Sequence, residues 1–307
     1  MYNRWDRLPR CLAALDASIY PDLRTLIVDN ASTVPVPRDV APLLARYEVL
    51  RTPRNLGYAG GNNVGIRRAM ELRADYVLLI NDDAYVAPAA IQELVDAMQA
   101  TPDAGAVGPL ILDSRDPSIV QSAGGLWATN RLRAHHRGRW DRDRGQYGAR
   151  IEADFVDGSC LLLRVEALRR AGLFDEGFFL YYEEVELCAR LRDHGYRCIV
   201  VPSARVEHEG GGDETLRSPV SRYFSHRNRF LFVRRRWRGL GRAVRIAWAL
   251  GTETDVVTHL LRTPRERWVR ARARGVLDGV LGVEGPGPAW IHTRTARAPA
   301  ARDPPSP

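Results

Sequence analysis

Four features of this sequence carry residue types that can do chemistry. In "YVLLINDDAYV" (76–86), five bulky residues give way to Asn81, Asp82 and Asp83. Carboxylates at a strand end can hold a hard cation, and Mg2+ or Mn2+ typically takes one or two of them plus substrate phosphates. The same residues also suit an Asx-type turn that merely ends the strand. In "FFLYYEEVELCARL" (178–191), Glu183, Glu184 and Glu186 stand where a helix begins. Acids in a first helical turn complement the helix dipole by about 0.3–1 kcal/mol each. Behind an aromatic wall they can instead supply a desolvated carboxylate of raised pKa, as a general base working near neutrality requires.

The third feature is "NLGYAGGNNVGI" (55–66), where Gly57, Gly60 and Gly61 precede a helix expected to begin near Asn62. Free N–H groups at such a start make an anion or nucleotide cradle; a flexible loop leading into the helix is the plainer alternative. Neither a P-loop nor a G-x-G-x-x-G fingerprint is present. The fourth is His208 in "ARVEHEGGGDET", a lone imidazole after a strand that can complete a metal site or be an ordinary histidine.

These residues need elements to position them. Apolar runs at 24–30, 47–52, 75–82, 104–112, 154–168 and 197–209 read as strands, the fifth running on into a helix. Helical patterns of 10–15 residues separate several of them, including "EEVELCARLRDHG", closed by Gly195. Such alternation predicts an α/β sheet with substantial parallel pairing and ligands beyond the carboxyl ends of the strands. Asp29 and Asn81–Asp83 both lie at such ends. Residues 113–150 are polar and aperiodic, and read as a surface excursion. The expected organisation is an α/β unit over 1–212, which the resemblance named below makes the catalytic domain, a basic helical region over 213–282 and a disordered Pro-rich tail over 283–307.

The bulk numbers fit one sizeable core in 307 residues. All 45 basic residues are arginine, a bias that weakens the case for any single one. Residues 1–214 carry 26 Arg against 31 acids, a net of −5, and 215–307 carry 19 Arg against 6 acids, a net of +13. Any basic partner surface is therefore expected in the C-terminal part. "RFLFVRRRWRGLGRAVRIAWAL" mixes aromatics with Arg as an interfacial helix does, and equally as a solvated helical cap would. Cys11, Cys160, Cys188 and Cys198 form no C-x-x-C pair and read as buried free thiols. With no signal-like start and no membrane-length apolar run, the expected location is cytoplasmic, with peripheral contact at the inner face of the plasma membrane as an extension.

Taken in order, the stretches "VDNAS" (28–32), "NLGYAGGNN" (55–63), "LLINDDA" (78–84), "VDGSCLLLRVEAL" (156–168), "GLFDEGFFLYYEEVELCARLR" (172–192), "VPSARVEH" (201–208) and "RNRFLF" (227–232) resemble a family 2 glycosyltransferase, close to the bacterial rhamnosyltransferase-like branch. The resemblance covers roughly residues 2–235. It implies a GT-A fold, a Rossmann-like mixed sheet with helices on both faces, followed by the basic helical region.

It also implies roles. Asp29 would contact the base or ribose of a nucleotide sugar, and Asn55, Gly60, Gly61, Asn62 and Asn63 would line the nucleotide pocket. Asn81 and Asp83 take the outer places of a D-x-D-like motif. Asp83 would hold Mg2+ or Mn2+, Asp82 would support the ribose or the metal shell, and His208 would assist the metal or diphosphate. Asp157, Gly158 and Ser159 would lie near the transferred sugar or acceptor, and Arg227 and Asn228 are grouped with the substrate-binding residues. Glu184 stands at the usual place of the catalytic base. The family usually has aspartate where Glu184 and Glu186 stand, so Glu183 also remains a candidate. Family members carry an apolar strand ahead of a "TYNR"-like segment, whereas this sequence opens on "MYNR". That first strand is thus expected to be missing, and translation upstream to reveal roughly four to six apolar residues in frame.

The implied activity is metal-dependent, inverting transfer from a nucleotide sugar, dTDP-rhamnose by the branch resembled, to a glycan or lipid-linked acceptor in cell-envelope polysaccharide synthesis. The alternatives are a catalytically inactive nucleotide-sugar binder and, with less support, a nucleic-acid binder using the Arg-rich part; no nucleic-acid motif is present.

Overall fold

The computed structural model describes residues 1–210 and 218–292; residues 213–217 and 293–307 of the expected C-terminal stretches lie outside the described residues. The chain opens with α1 (Leu8–Asp16), β1 (Leu26–Asp29), α2 (Ala41–Leu44), β2 (Glu48–Arg51), α3 (Gly57–Glu71) and β3 (Tyr76–Ile80). β4 (Ala84–Val86), α4 (Ala90–Gln99) and β5 (Ala104–Asp113) follow. The supposed excursion is built structure: β6 (Asp116–Ser122), β7 (Gly125–Ala128) and β8 (Arg133–His136), with β9 (Ile151–Ala153) just beyond. β6 and β8 carry polar residues on both faces and β7 and β9 are only four and three residues long, so none leaves an alternation to read. Next come β10 (Cys160–Arg164), α5 (Val165–Ala171), a 3₁₀ turn (Glu176–Phe178), α6 (Glu183–Asp193) and β11 (Arg197–His208). The described chain ends in α7 (Pro219–Arg236), α8 (Gly239–Gly251), α9 (Thr254–Arg262), α10 (Arg267–Leu281) and α11 (Ala289–His292).

The main sheet has the path β3-β10-β5-β11-β4, with β6 added to β5 and β9 to β11. Parallel pairing is narrower than the alternation suggested. Within this sheet only β5 and β11 pair in parallel; the rest is antiparallel. All ten residues of β5 are buried, as expected of a strand covered on both faces. Val107 and Ile111 face α4 through Leu94 and Met98, whereas Ala106 joins the opposite core with Leu187 and Leu191 of α6. All four cysteines are free and buried.

β1 and β2 form a separate parallel pair. Neither bonds to β3, so β1 and β3 each keep an unpaired edge among the described residues. Met1 makes the first step of a strand beside β1. Its ammonium donates to Val28 O at 2.8 Å and its carbonyl accepts from Asn30 N at 2.9 Å, the bonding of a parallel ladder. Burial pushes that ammonium's pKa down, against the charges of Asp82 and Asp29.

The C-terminal helices are part of the same body. Leu231 and Phe232 of α7 enter the core formed by β10 and α6. α10 crosses α7 at Gly275 and Gly279, where a Cβ would stand 2.4 Å from Tyr223 O and 2.5 Å from Arg227 O. Residues 283–292, expected within a disordered tail, are ordered. Gly285 N donates to Gly177 O at 3.0 Å, Glu284 pairs with Arg235 at 2.7 Å, and Ile291 is buried among Phe179, Tyr223 and Phe224. One apolar anchor in a Gly/Pro-rich segment is enough to dock it, and composition alone does not reveal that.

The open edges of β1 and β3 carry a prediction. An extension of about five Val/Ile residues ahead of Met1 replaces the buried ammonium with a peptide N–H and offers a strand to both edges. Relative to a Gly/Ser extension of equal length, it is expected to raise Tm by on the order of a few °C. Equal melting of the two would show that these edges take no strand.

Candidate active site

The acidic strand end sits where the sequence placed it, but in company the sequence did not indicate. Asp83 is 2% exposed. Its Oδ2 accepts from Arg4 Nη2 at 2.9 Å and Arg7 Nη1 at 3.0 Å, and Arg4 also reaches Asp82 at 3.2 Å. Its Oδ1 is buried without a hydrogen-bond donor and lies 3.3 Å from His208 Nε2. Gln121 fixes that imidazole. The amide Nε2 donates to His208 O at 2.9 Å, which turns Oε1 to His208 Nδ1 at 3.0 Å. Nδ1 therefore carries a proton. Nε2, the other ring nitrogen, faces the carboxylate, so Asp83 Oδ1 and His208 Nε2 converge on one point where a cation could take both as ligands. Burial works to raise the Asp83 carboxyl pKa, but His208, Arg4 and Arg7 hold it well below the usual range. Burial dominates at neighbouring Asp82 and moves its pKa up.

The second wall is the Asp157–Ser159 turn. Asp157 Oδ1 accepts from Ser159 N at 2.8 Å and Ser159 Oγ at 2.6 Å, and Oδ2 lies 3.3 Å from His136 Nδ1. Ser159 O accepts from Asn81 N at 2.9 Å, so this turn and the acidic strand end are directly bonded. Gly158 O accepts from the Tyr58 hydroxyl. Burial opposes ionisation of Asp157, yet His136, His208 and the Ser159 bonds keep its pKa below the ordinary value. Burial likewise lowers the pKa of His136, and that of Arg139, which lies beside Asp157 and Tyr181.

The third wall is the start of α6. Burial pushes Glu184 up to about 7, with Asp157 adding to the rise. Glu183, 3% exposed and with Oε2 unbonded, is driven well above the carboxylate range by burial and then by Glu184. Glu184 is the more accessible of the two. Glu186 is tied to Arg190 at 2.7 Å, and Arg190 in turn donates to Leu173 O at 2.6 Å, an anchor for the helix.

What presents these glutamates is an unusual backbone. Phe179, Tyr181 and Tyr182 have φ of 64°, 67° and 73°, a left-handed region that costs bulky residues on the order of 1–3 kcal/mol each. Asn228 Nδ2 donates to the carbonyls of Phe178 (2.9 Å), Leu180 (2.8 Å) and Tyr181 (2.6 Å), and Arg227 Nη2 to Phe178 O at 2.7 Å. Arg227 and Asn228 are 0% exposed. They hold the loop, and are not placed to touch a substrate as the resemblance implied.

The glycine stretch is also corrected. α3 begins at Gly57, not near Asn62, and its first amides are already used: Tyr58 N and Ala59 N donate to Phe179 O at 2.6 and 3.3 Å. Gly57 permits this approach, since a Cβ there would lie 2.2 Å from that oxygen. Gly60 and Gly61 lie within the helix against Leu56 and Asn30, and leave no open anion cradle. Asn63 is 1% exposed and bonds Phe174 through both N–H and C=O; Asn62 donates to Tyr58 O. Asn55 accepts from Asn30 and Gly57 N, bracing the turn. Asp29, whose charge like that of Asp82 acts on the Met1 ammonium, takes donors from Ser32 N (2.8 Å) and Arg51 (2.9 Å).

Sequence reasoning missed Arg4, Arg7, Tyr58, Gln121, His136 and Arg139. Three of these lie in the stretch dismissed as an excursion, where "HHRGR" was the one available signal. Among the described residues no group of three or more His, Cys, Asp or Glu side chains is placed to hold a metal ion by itself. The Asp83–His208 pair offers two donors, which fits a cation that draws its remaining ligands from substrate phosphates and water.

The mixed sheet with helices on both faces, closing on this polar cleft, is the GT-A glycosyltransferase architecture. A mannosyltransferase of Pyrobaculum calidifontis in complex with GDP-Man and Mn2+ shares it at TM-score 0.56 and 18% identity, over 90% of this chain and 85% of that one. GalNAc-T7 with UDP, GalNAc and Mn2+ does so at TM-score 0.59 and 15% identity, over 75% and 45%. The chain belongs to glycosyl transferase family 2, whose sequence model matches residues 1–172, and it is a glycosyltransferase. It is 30% identical over 301 residues to the N-acetylglucosaminyl-diphospho-decaprenol L-rhamnosyltransferase of Mycobacterium tuberculosis, covering 91% of this chain and 96% of the relative. It is 24% identical over 271 residues to the dTDP-rhamnosyl transferase RfbF of Shigella flexneri, covering 85% and 88%. The rhamnosyltransferase-like resemblance read from the motifs therefore stands.

The Glu184 environment has a stability consequence. An acid whose folded pKa is raised from 4.5 to about 7 stabilises the fold in its protonated form. The unfolded chain binds fewer protons over that window, so stability falls as pH rises through it. Glu184→Gln removes this dependence. Relative to wild type, the variant is expected to gain on the order of 1–3 kcal/mol between about pH 5 and about pH 8. Parallel melting curves of the two proteins across that range would refute the raised pKa.

Proposed function

We propose that the protein is an inverting sugar transferase that takes its sugar from a nucleoside-diphosphate donor and passes it to a hydroxyl of a lipid-linked or glycan acceptor. The observation that carries this is the placement of Glu184. It is a partly accessible carboxylate of pKa about 7, beside the Asp157–Ser159 turn, which is itself bonded to the acidic strand end. The similarity to the two rhamnosyltransferases supports a dTDP-rhamnose-type donor, and the decaprenol in one relative's name supports a lipid-linked acceptor.

Glu184 accepts the proton of the acceptor hydroxyl as that oxygen attacks the anomeric carbon. Single displacement inverts the centre, with the nucleoside diphosphate leaving from the opposite face. Glu183 stays protonated beside Glu184 and adds no second negative charge. Asp157, with Gly158 and Ser159, faces the sugar and is oriented by His136. Asp83 Oδ1 and His208 Nε2 would hold Mg2+ or Mn2+, which when bound supplies Lewis-acid neutralisation of the diphosphate. Arg4 and Arg7 add fixed positive charge at that end of the cleft.

Transfer by Asp83→Ala and Glu184→Gln proteins is expected to fall by roughly 10²–10⁴-fold. Wild-type kcat is expected to rise with pH through about 7, as Glu184 ionises. Wild-type turnover in both variants would overturn the assignments. Calorimetric titration with nucleoside diphosphates, with and without Mn2+, separates the remaining readings. Binding without donor turnover would make the protein a sugar-nucleotide binder, and no binding with or without Mn2+ would remove the donor assignment.

A further inference from the structure

The basic aromatic stretch 229–250 divides in two. Its opening, Arg229 to Val233, is buried in α7 at 4% exposure or less. Those residues cannot meet a partner: Arg229 is consumed by Glu253 and by the carbonyls of Arg131 and Leu132. α8 differs. It turns Ile246 and Ala249 to the body, against Phe230 and Val233. The opposite face exposes Leu240 (82%), Val244 (57%) and Trp248 (59%), with Ala243 and Ala247 between them. That spacing of three and four residues is one continuous stripe on a helix about 20 Å long.

An apolar stripe facing outward on a helix that is already apolar inward needs a covering phase. The charges flanking it identify one. No acid occurs from Arg234 to Thr252. Arg235 and Arg236 have carboxylate partners, but among the described residues none pairs with Arg238, Arg242 or Arg245. The indole N–H of Trp248 is already satisfied by Asn130 O at 2.8 Å, so the ring can leave water without stranding a donor. Among the described residues no helix is long and apolar enough to cross a membrane, so the contact is one that lies on the surface.

We propose that the outward face of α8 docks on an anionic lipid bilayer. Leu240, Val244 and Trp248 enter the acyl boundary, and Arg238 and Arg242 meet headgroup phosphates. This rests on the transferase reading only for its purpose, which is to bring the cleft to a lipid-linked acceptor.

The test is sedimentation of the full-length protein with sucrose-loaded vesicles. Vesicles of phosphatidylcholine with phosphatidylglycerol are expected to bind it about tenfold better than phosphatidylcholine alone, and less well as salt rises. Leu240→Asp combined with Trp248→Asp is expected to cut binding about tenfold or more, and Trp248→Phe to retain it. The positions are exposed, so the Asp variant should melt with wild type, which shows that it folds. Indifference of wild type to both vesicles overturns the proposal, as does undiminished binding by the Asp variant. Self-association through these residues without vesicle binding also overturns it, making the face a contact between copies. Nucleotide binding measured on the same preparations reports the donor reading independently, so the two can fail separately.

Discussion

The site depends on the carbonyl oxygens of the 178–181 loop. Three bulky residues there, Phe179, Tyr181 and Tyr182, adopt positive φ, a conformation that an L-residue does not keep unaided. It is kept because each exposed carbonyl meets a fixed donor: Asn228 takes three, Arg227 reinforces one, and the first amides of α3 converge on Phe179 O. Those donors come from α3 and α7, which are far apart in the sequence and lie on either side of the loop in chain order. The loop ends at the N-terminus of α6, so its geometry is what aims Glu183 and Glu184. Here the strain is offset by buried hydrogen bonds, which are worth more than exposed ones because leaving them unmade is costly.

A second constraint is electrostatic. The cleft gathers Asp82, Asp83, Asp157, Glu183 and Glu184 in little space, and each would resist ionisation if left alone. The fold separates them by partner. Asp83 and Asp157 have cations or donors at hand and stay charged, whereas Glu183 and Glu184 have burial and each other. Pairs of carboxyls driven to opposite protonation preferences are how one pocket can hold both a fixed charge and a proton acceptor.

Much of this was legible in the sequence. Each of the six runs contains a strand; most are buried and leave dense apolar tracts, whereas the half-exposed β2 shows only the pair Val49–Leu50 between charged residues. The Asn81–Asp83 turn and the glutamates at the start of α6 were legible from residue type against hydropathy, and the Asp157 turn only through the family resemblance. What failed were inferences about which polar groups face outward. Arg227 and Asn228 looked like ligand-binding side chains, and their burial came from the tertiary fold. The glycines of α3 looked like a cradle, because nothing local says that Phe179 O will occupy the helix start. Gln121 and His136 went unnoticed because β6 and β8 owe their existence to β5 and β7 and not to their own pattern. Nor did the tally of arginines in the last third measure a surface. Arg227, Arg229 and Arg272 spend their charge inside, on carbonyls and on Glu253.

The docked segment after α10 bears on how the enzyme comes into being. Gly285 bonds Gly177, Arg227 reaches Gly285 O, and Ile291 closes the aromatic cluster over Phe179. A ribosome releases the sheet, the acidic turn and both glutamates long before these residues leave its exit tunnel. The nascent protein can therefore be compact while Glu183 and Glu184 still lack these contacts beneath their loop. The loop that presents the two glutamates is thus completed by contacts from a segment that follows them by about 100 residues.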